Sequence, residues 1–284
     1  MRLRKKYSSI LLNKRLAPFL FLAPGAAGVG FFVLAPFGDV IRRSFYTALS
    51  GEFAGFDNYL AVFRNPAFKL AAVNTARFVG VCLPLLLGIS LLLSLAINSH
   101  AGWEKYKVLY LLPMAMPAAT VVLVWKMLFV KQGFLNSWLG SHVDFMAQDS
   151  AFWILVVSYL WKNLGYTLVL WLAGLRAIPS ELTEAARVDG AGRVQCFLKV
   201  TLPGLRGTMY TICVLSFLNS FKVFREAYLV SGSYPQEKIY LLQHVFNNWY
   251  TNLELDKMAA GAVLTSIVLG SIAMLLQKIW NQKE

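Results

Sequence analysis

Charged residues vanish from this chain over long, regular gaps. Leu16–Phe37 runs 22 residues without a charge, Phe78–Ile97 runs 20, Val108–Trp125 runs 18 and Met258–Gln277 runs 20. An α-helix rises about 1.5 Å per residue, so roughly 20 apolar residues cross the ~30 Å hydrocarbon core of a bilayer. Each gap therefore predicts a membrane-spanning helix. Two further stretches qualify on a condition. Phe152–Leu175 carries one charge, Lys162, near its middle, and Gly207–Phe221 is uncharged for 15 residues before Lys222, Arg225 and Glu226. Both predict spans whose polar side chains turn away from lipid.

The expectation is an all-α membrane protein with six transmembrane helices at about 16–37, 75–97, 108–130, 152–175, 207–230 and 258–280. A basic tail (1–15) precedes them, an extracellular loop (38–74) follows the first, and a polar segment (180–205) parts the fourth from the fifth. Residues 281–284 form a short tail. The first span follows Arg2, Arg4, Lys5, Lys6, Lys14 and Arg15, as a signal peptide would. Its apolar run exceeds the ~7–15 residues of a signal core, and five more spans follow, so it reads as an uncleaved helix.

Basic residues orient the bundle. With the N-terminus inside, the inner segments hold 15 of the 27 Lys and Arg and the outer loops hold Arg42, Arg43, Arg64, Lys69, Lys131, Lys238 and Lys257. The positive-inside rule then places both termini in the cytoplasm. The net charge of +13 calls for anionic lipid as a partner rather than nucleic acid. Cys82, Cys196 and Cys213 have neither disulfide nor metal spacing, and His100, His142 and His244 fall one to a loop. No phosphate-binding loop, zinc-protease or nucleophile-elbow motif is present. No catalytic residue, metal or cofactor is expected on this chain.

The polar segment SELTEAARVDGAGRVQCFLKVTLPGL interrupts the apolar pattern. Ser180 reads as an N-cap, with Glu181 and Glu184 suited to the first turns of a helix. Gly190 and Gly192 break that helix, a second short helix starts before Pro203, and Asp189 is a candidate cap for it. A solvated connector and a docking element for a partner both fit.

Here the spacing resembles a known family. Glu184-Ala185-Ala186, then Gly190 after three residues, then Val200, Leu202 and Pro203 after nine, is similar to the EAA loop of the membrane subunits of binding-protein-dependent ABC importers. Val200 stands where that pattern has isoleucine. GFDNYLAVFRNPAF (55–68), YLLPMAMP (110–117) and WKMLFVKQGFLN (125–136) resemble its carbohydrate-uptake branch, in particular the first permease subunit of maltose- and glycerol-phosphate-type systems. The resemblance implies a type I importer transmembrane domain with an extra N-terminal helix, set in a bacterial cell membrane. It implies that Glu184, Ala185, Ala186, Asp189, Gly190, Val200, Leu202 and Pro203 couple the bundle to ATPase subunits. The implied partners are a second homologous permease, two ATPase subunits that hold ATP and magnesium, an extracellular solute-binding protein and a sugar. Alternatives are an importer for a non-sugar solute and an ion-coupled secondary transporter.

A sugar path needs amides, hydroxyls and aromatic faces at membrane depth. Trp161, Asn163 and Tyr166 on the fourth span, and Asn219, Lys222 and Glu226 on the fifth, are the candidates. The last three recur at steps of three and four and so share a helix face. Phe217, Phe221 and Phe224 form a neighbouring stripe. The competing reading pairs Lys222 with Glu226 as an i,i+4 ion pair.

Overall fold

The computed structural model describes residues 17–99 and 107–281. The basic tail, His100, Lys105 and residues 282–284 lie outside the described residues. The described residues are helices joined by turns, with one isolated antiparallel bridge between Tyr46 and Phe53. Five stretches are long and apolar enough to cross a membrane: Pro18–Arg43, Pro66–Asn98, Ala118–Leu139, Ser150–Ala177 and Leu255–Lys278.

Two of the expected spans are broken. Lys107–Ala115 stops before Pro117, which lacks an N–H and disfavours helical geometry at Met116, and Ala118–Phe129 resumes. Arg206–Ser220 tightens into a 3-10 turn at Phe221–Val223 before Phe224–Ser231 continues. Another span begins earlier than its charge-free core suggests. Asn65 Oδ1 caps Phe68 N–H at 3.1 Å and Pro66 fills the first turn, so the helix starts at Pro66 instead of residue 75.

The chain divides into two compact units. The first takes in residues up to Arg64 together with Trp249–Ile267. Its N-terminal helix presents Phe19, Phe21, Phe31 and Phe32 at 70–89% exposure, the surface of a helix made for lipid or another apolar partner. Beyond it, Asn58 Nδ2 donates to the carbonyls of Ser44 and Tyr46, both at 3.0 Å, and holds the following loop.

The second unit, Asn65–Asn248 with Val268–Glu284, contains the polar sites. Ala71, Asn74, Thr75, Phe78, Cys82, Leu86, Ser90, Ser94 and Ile97 are the buried positions of the Pro66–Asn98 helix. Apart from the adjacent Asn74 and Thr75, they recur every three or four residues and make one stripe. Phe78, Cys82 and Leu86 pack with Phe152, Leu155, Val156 and Tyr159 of Ser150–Ala177. Polar groups in this stripe are bonded, as a low-dielectric interior demands. Ser90 Oγ donates to the Leu86 carbonyl at 2.6 Å and accepts from Trp171 Nε1 at 3.0 Å. Gly165 lets another helix approach closely: a Cβ there would lie 2.0 Å from the Tyr110 carbonyl oxygen.

Candidate functional site

The second unit holds two polar regions. The first is a cavity of about 270 Å³ between broken and unbroken helices. Ser158, Tyr159, Lys162 and Asn163 line it from Ser150–Ala177; Asn219, Lys222, Arg225 and Glu226 line it from the broken stretch 206–231. Met116, Pro117 and Ala118 contribute the other break. Both interruptions of helix thus face one cavity, and lining a cavity is where a membrane protein tolerates irregular backbone.

The ion pair here is not the one local spacing offers. Glu226 Oε1 receives Lys162 Nζ at 2.5 Å across two helices, with side-chain exposures of 6% and 22%. The i,i+4 pairing of Lys222 with Glu226, the competing reading of these residues, does not form. Lys222 Nζ donates instead to Asn219 Oδ1 at 2.7 Å, because the 3-10 turn alters the register between them. That turn also splits the phenylalanine stripe. Phe217 and Phe221 meet edge to face at 5.5 Å, while Phe224 turns to Tyr228 and His244.

Of the six residues predicted for a substrate path, Asn163, Asn219, Lys222 and Glu226 line the cavity. Trp161 and Tyr166 do not. Trp161 packs edge-on to Trp125 at 6.0 Å, and Tyr166 O–H pairs with Ser216 Oγ at 2.7 Å. The reading missed Ser158, Arg225 and the Met116–Pro117 break as cavity wall. Two prolines within YLLPMAMP, Pro113 and Pro117, were the signal for the break. Ser158 also accepts from Trp125 Nε1 at 2.9 Å, a contact with no local signature.

His244 sits near the broken helix, in the Leu242–Thr251 helix outside the five spanning stretches. It is fully buried, stands edge-on to Phe224 at 4.8 Å and accepts Leu241 N–H on Nδ1 at 3.0 Å. Its Nε2 has no partner among the described residues. Burial pushes its pKa down to about 4.

The second region is the polar segment. Ser180–Val188 is a helix with no buried residue; Pro179 holds the N-cap position without a side-chain bond, so Ser180 is the first helical residue and not the cap. Asp189 ends this helix rather than capping the next one, which begins after Gly192. Gly190 has φ +86°, its N–H bonds the Arg187 carbonyl at 3.0 Å, and Ala191 N–H bonds the Ala186 carbonyl at 2.9 Å. These two bonds form a Schellman cap, which needs a left-handed residue at the Gly190 position. Gly192 N–H then bonds Gln195 Oε1 at 3.0 Å and opens Arg193–Cys196. Helical structure runs on through Phe197–Thr201 and past Pro203 to Gly204, further than expected, since Pro203 sits in a first turn. Glu184, Ala185, Asp189 and Gly190 are exposed, while Ala186, Val200, Leu202 and Pro203 are half-buried.

Several apolar spans, helices broken at a shared polar cavity and an exposed two-helix segment define the membrane subunit of a solute transporter. The family described as "Binding-protein-dependent transport system inner membrane component" matches residues 106–284, more than half of the chain. The chain belongs to that family. It is 28% identical to the probable ABC transporter permease protein YesP of Bacillus subtilis (strain 168), over 96% of this chain and 93% of that one. It is 27% identical to the arabinooligosaccharides transport system permease protein AraP of the same strain, over 96% and 91%. The sn-glycerol-3-phosphate transport system permease protein UgpA of Yersinia pestis matches at 27%, over 94% of each. Among solved structures, a bacterial ABC transporter involved in the import of the acidic polysaccharide alginate shares the fold. Its TM-score is 0.81 at 24% identity, covering 99% of both chains.

Proposed function

We propose that this chain is the permease subunit of an ATP-driven importer for a sugar or oligosaccharide, working beside a second permease, two ATPase subunits and an extracellular solute-binding protein. Both termini face the cytoplasm, and the 180–205 segment meets an ATPase subunit through the Glu184–Gly190 helix end. The carbohydrate assignment draws on the relatives, one named for arabinooligosaccharides and another for sulfoquinovosyl glycerol. The observation that carries the coupling role is the exposed Ser180–Val188 helix, closed at Gly190 and held between two long helical stretches. A helix of this kind transmits displacement, which a slack loop would absorb. In this reading alternating access opens and closes the cavity at Asn163 and Asn219 as ATPase subunits close.

The test is reconstitution of the complete complex in proteoliposomes, with ATP-dependent sugar uptake and ATP hydrolysis measured together. Gly190→Val forces a β-branched residue to a positive φ and is expected to keep hydrolysis while uptake falls at least ten-fold. Uptake at the unmodified rate in that variant removes the coupling role. Recovery of the chain as a stable monomer that binds no ATPase removes the importer reading altogether.

A further inference from the structure

The cavity has a sign. Lys162, Lys222, Arg225 and Glu226 line it, three bases against one acid. The acid is already committed, since Glu226 and Lys162 neutralise each other at 2.5 Å. Lys222 and Arg225 remain, both exposed. Lys222 shares one proton with the neutral amide of Asn219 at 2.7 Å, and Arg225 has no hydrogen-bond or ion-pair partner among the described residues. Neither base faces a carboxylate that cancels it.

A second feature of different origin has the same sign. The 12-residue Ala118–Phe129 helix starts at the cavity wall, with Pro117 and Ala118 both lining it. Pro117 provides no side-chain cap for the first-turn amides. Those amides have no partner inside their helix, and the helix dipole adds about half a positive charge at that end.

Hydrogen-bond chemistry narrows the solute. A neutral sugar hydroxyl both donates and accepts, so a site for it balances donors with acceptors. Lysine and arginine only donate, and uncapped amides only donate, so the donors here outnumber the acceptor oxygens that Asn163 and Ser158 bring to the same wall. An oxyanion accepts from all of them and takes charge-assisted bonds from the two bases.

We infer that the solute held in this cavity is an anionic saccharide, one bearing a carboxylate, phosphate or sulfonate, and that Lys222 and Arg225 read its charge. The inference rests on the import reading above and adds the charge class of the cargo. The competing account of the same residues is two basic side chains reaching for lipid headgroups.

The decisive experiment uses the whole complex in proteoliposomes with its solute-binding protein. ATP-driven uptake is measured for matched pairs: galactobiose with digalacturonate, and maltose with maltose 6-phosphate. Wild type is expected to take up an acidic member at least ten-fold faster than its neutral counterpart. The double variant Lys222→Gln with Arg225→Gln is expected to lose that acidic uptake by at least ten-fold, and Lys222→Arg with Arg225→Lys to restore much of it. Preference for the neutral members, or full acidic uptake by the double glutamine variant, overturns the inference and favours the headgroup account. If the glutamine variant does not assemble with its partners, the preference of wild type decides alone. No ATP-driven uptake of any saccharide by wild type defeats the import reading instead.

Discussion

The cavity wall and the 180–205 segment are both polar islands in an apolar chain, yet they are held together in opposite ways. The segment is local: its turn is closed by Gly190 and Ala191 bonding back to Arg187 and Ala186. The cavity wall is non-local, since Lys162 reaches Glu226, and the Tyr159 O–H reaches the Ser216 carbonyl at 2.6 Å. A locally closed element survives most substitutions on its surface. A cross-helix pair fails when either partner goes.

The sharpest way to break this contrast is Glu226→Ala. It leaves the Lys162 charge largely buried without its partner, and such losses cost about 3–5 kcal/mol. The expected result is a large drop in melting temperature in detergent, mostly recovered when Lys162→Met and Glu226→Leu are combined. A single variant that melts like wild type would put the pair on the same footing as the surface segment.

A pH titration extends the contrast to the ring beside the broken helix. His244 has a folded-state pKa of about 4, below its usual 6.5. A lowered histidine pKa favours the folded state while the ring is neutral. Stability from His244 is therefore complete above about pH 6.5 and is lost as pH falls toward 4, by at most ~3 kcal/mol. Melting temperature should fall between pH 7 and 4.5, and His244→Asn should flatten that slope while lowering the neutral-pH value. An unchanged slope in the variant assigns the acid response elsewhere.

Two glycines differ in what one added methyl group would meet. Gly165→Ala drives a Cβ to within 2.0 Å of the Tyr110 oxygen and should cost about 1–3 kcal/mol, since two helices must part. Gly190→Ala meets no atom within 4 Å and bears only its positive φ, about 1 kcal/mol. Equal melting shifts would mean the segment is packed after all. The smallest effect is Leu182→Ala on the exposed helix face, within about 0.5 kcal/mol of wild type by thermal melting.

The same contrast explains what the sequence disclosed. The helix-breaking Gly190, the EAA spacing and the apolar runs are short-range patterns, and they pointed to the bundle, the polar helix and the family. Asn219, Lys222 and Glu226 could be placed on one face because helical steps are regular. Lys162 as the partner of Glu226 could not, because 64 residues of chain separate them. The helix breaks were half visible. Pro117 announced one, but nothing in the stretch 217–228 marks the 3-10 turn at Phe221–Val223. The early helix start at Pro66 has a local signature in Asn65-Pro66, which a run of uncharged residues does not register.

The cap at Gly190 also bears on thermodynamics. An unstructured segment that orders on binding loses about 1–2 kcal/mol of conformational entropy per residue. Ser180–Ala191 is already ordered by its own bonds, so a partner engaging this face would bear little of that cost. Binding of a partner there would depend little on temperature-driven fraying of the segment itself.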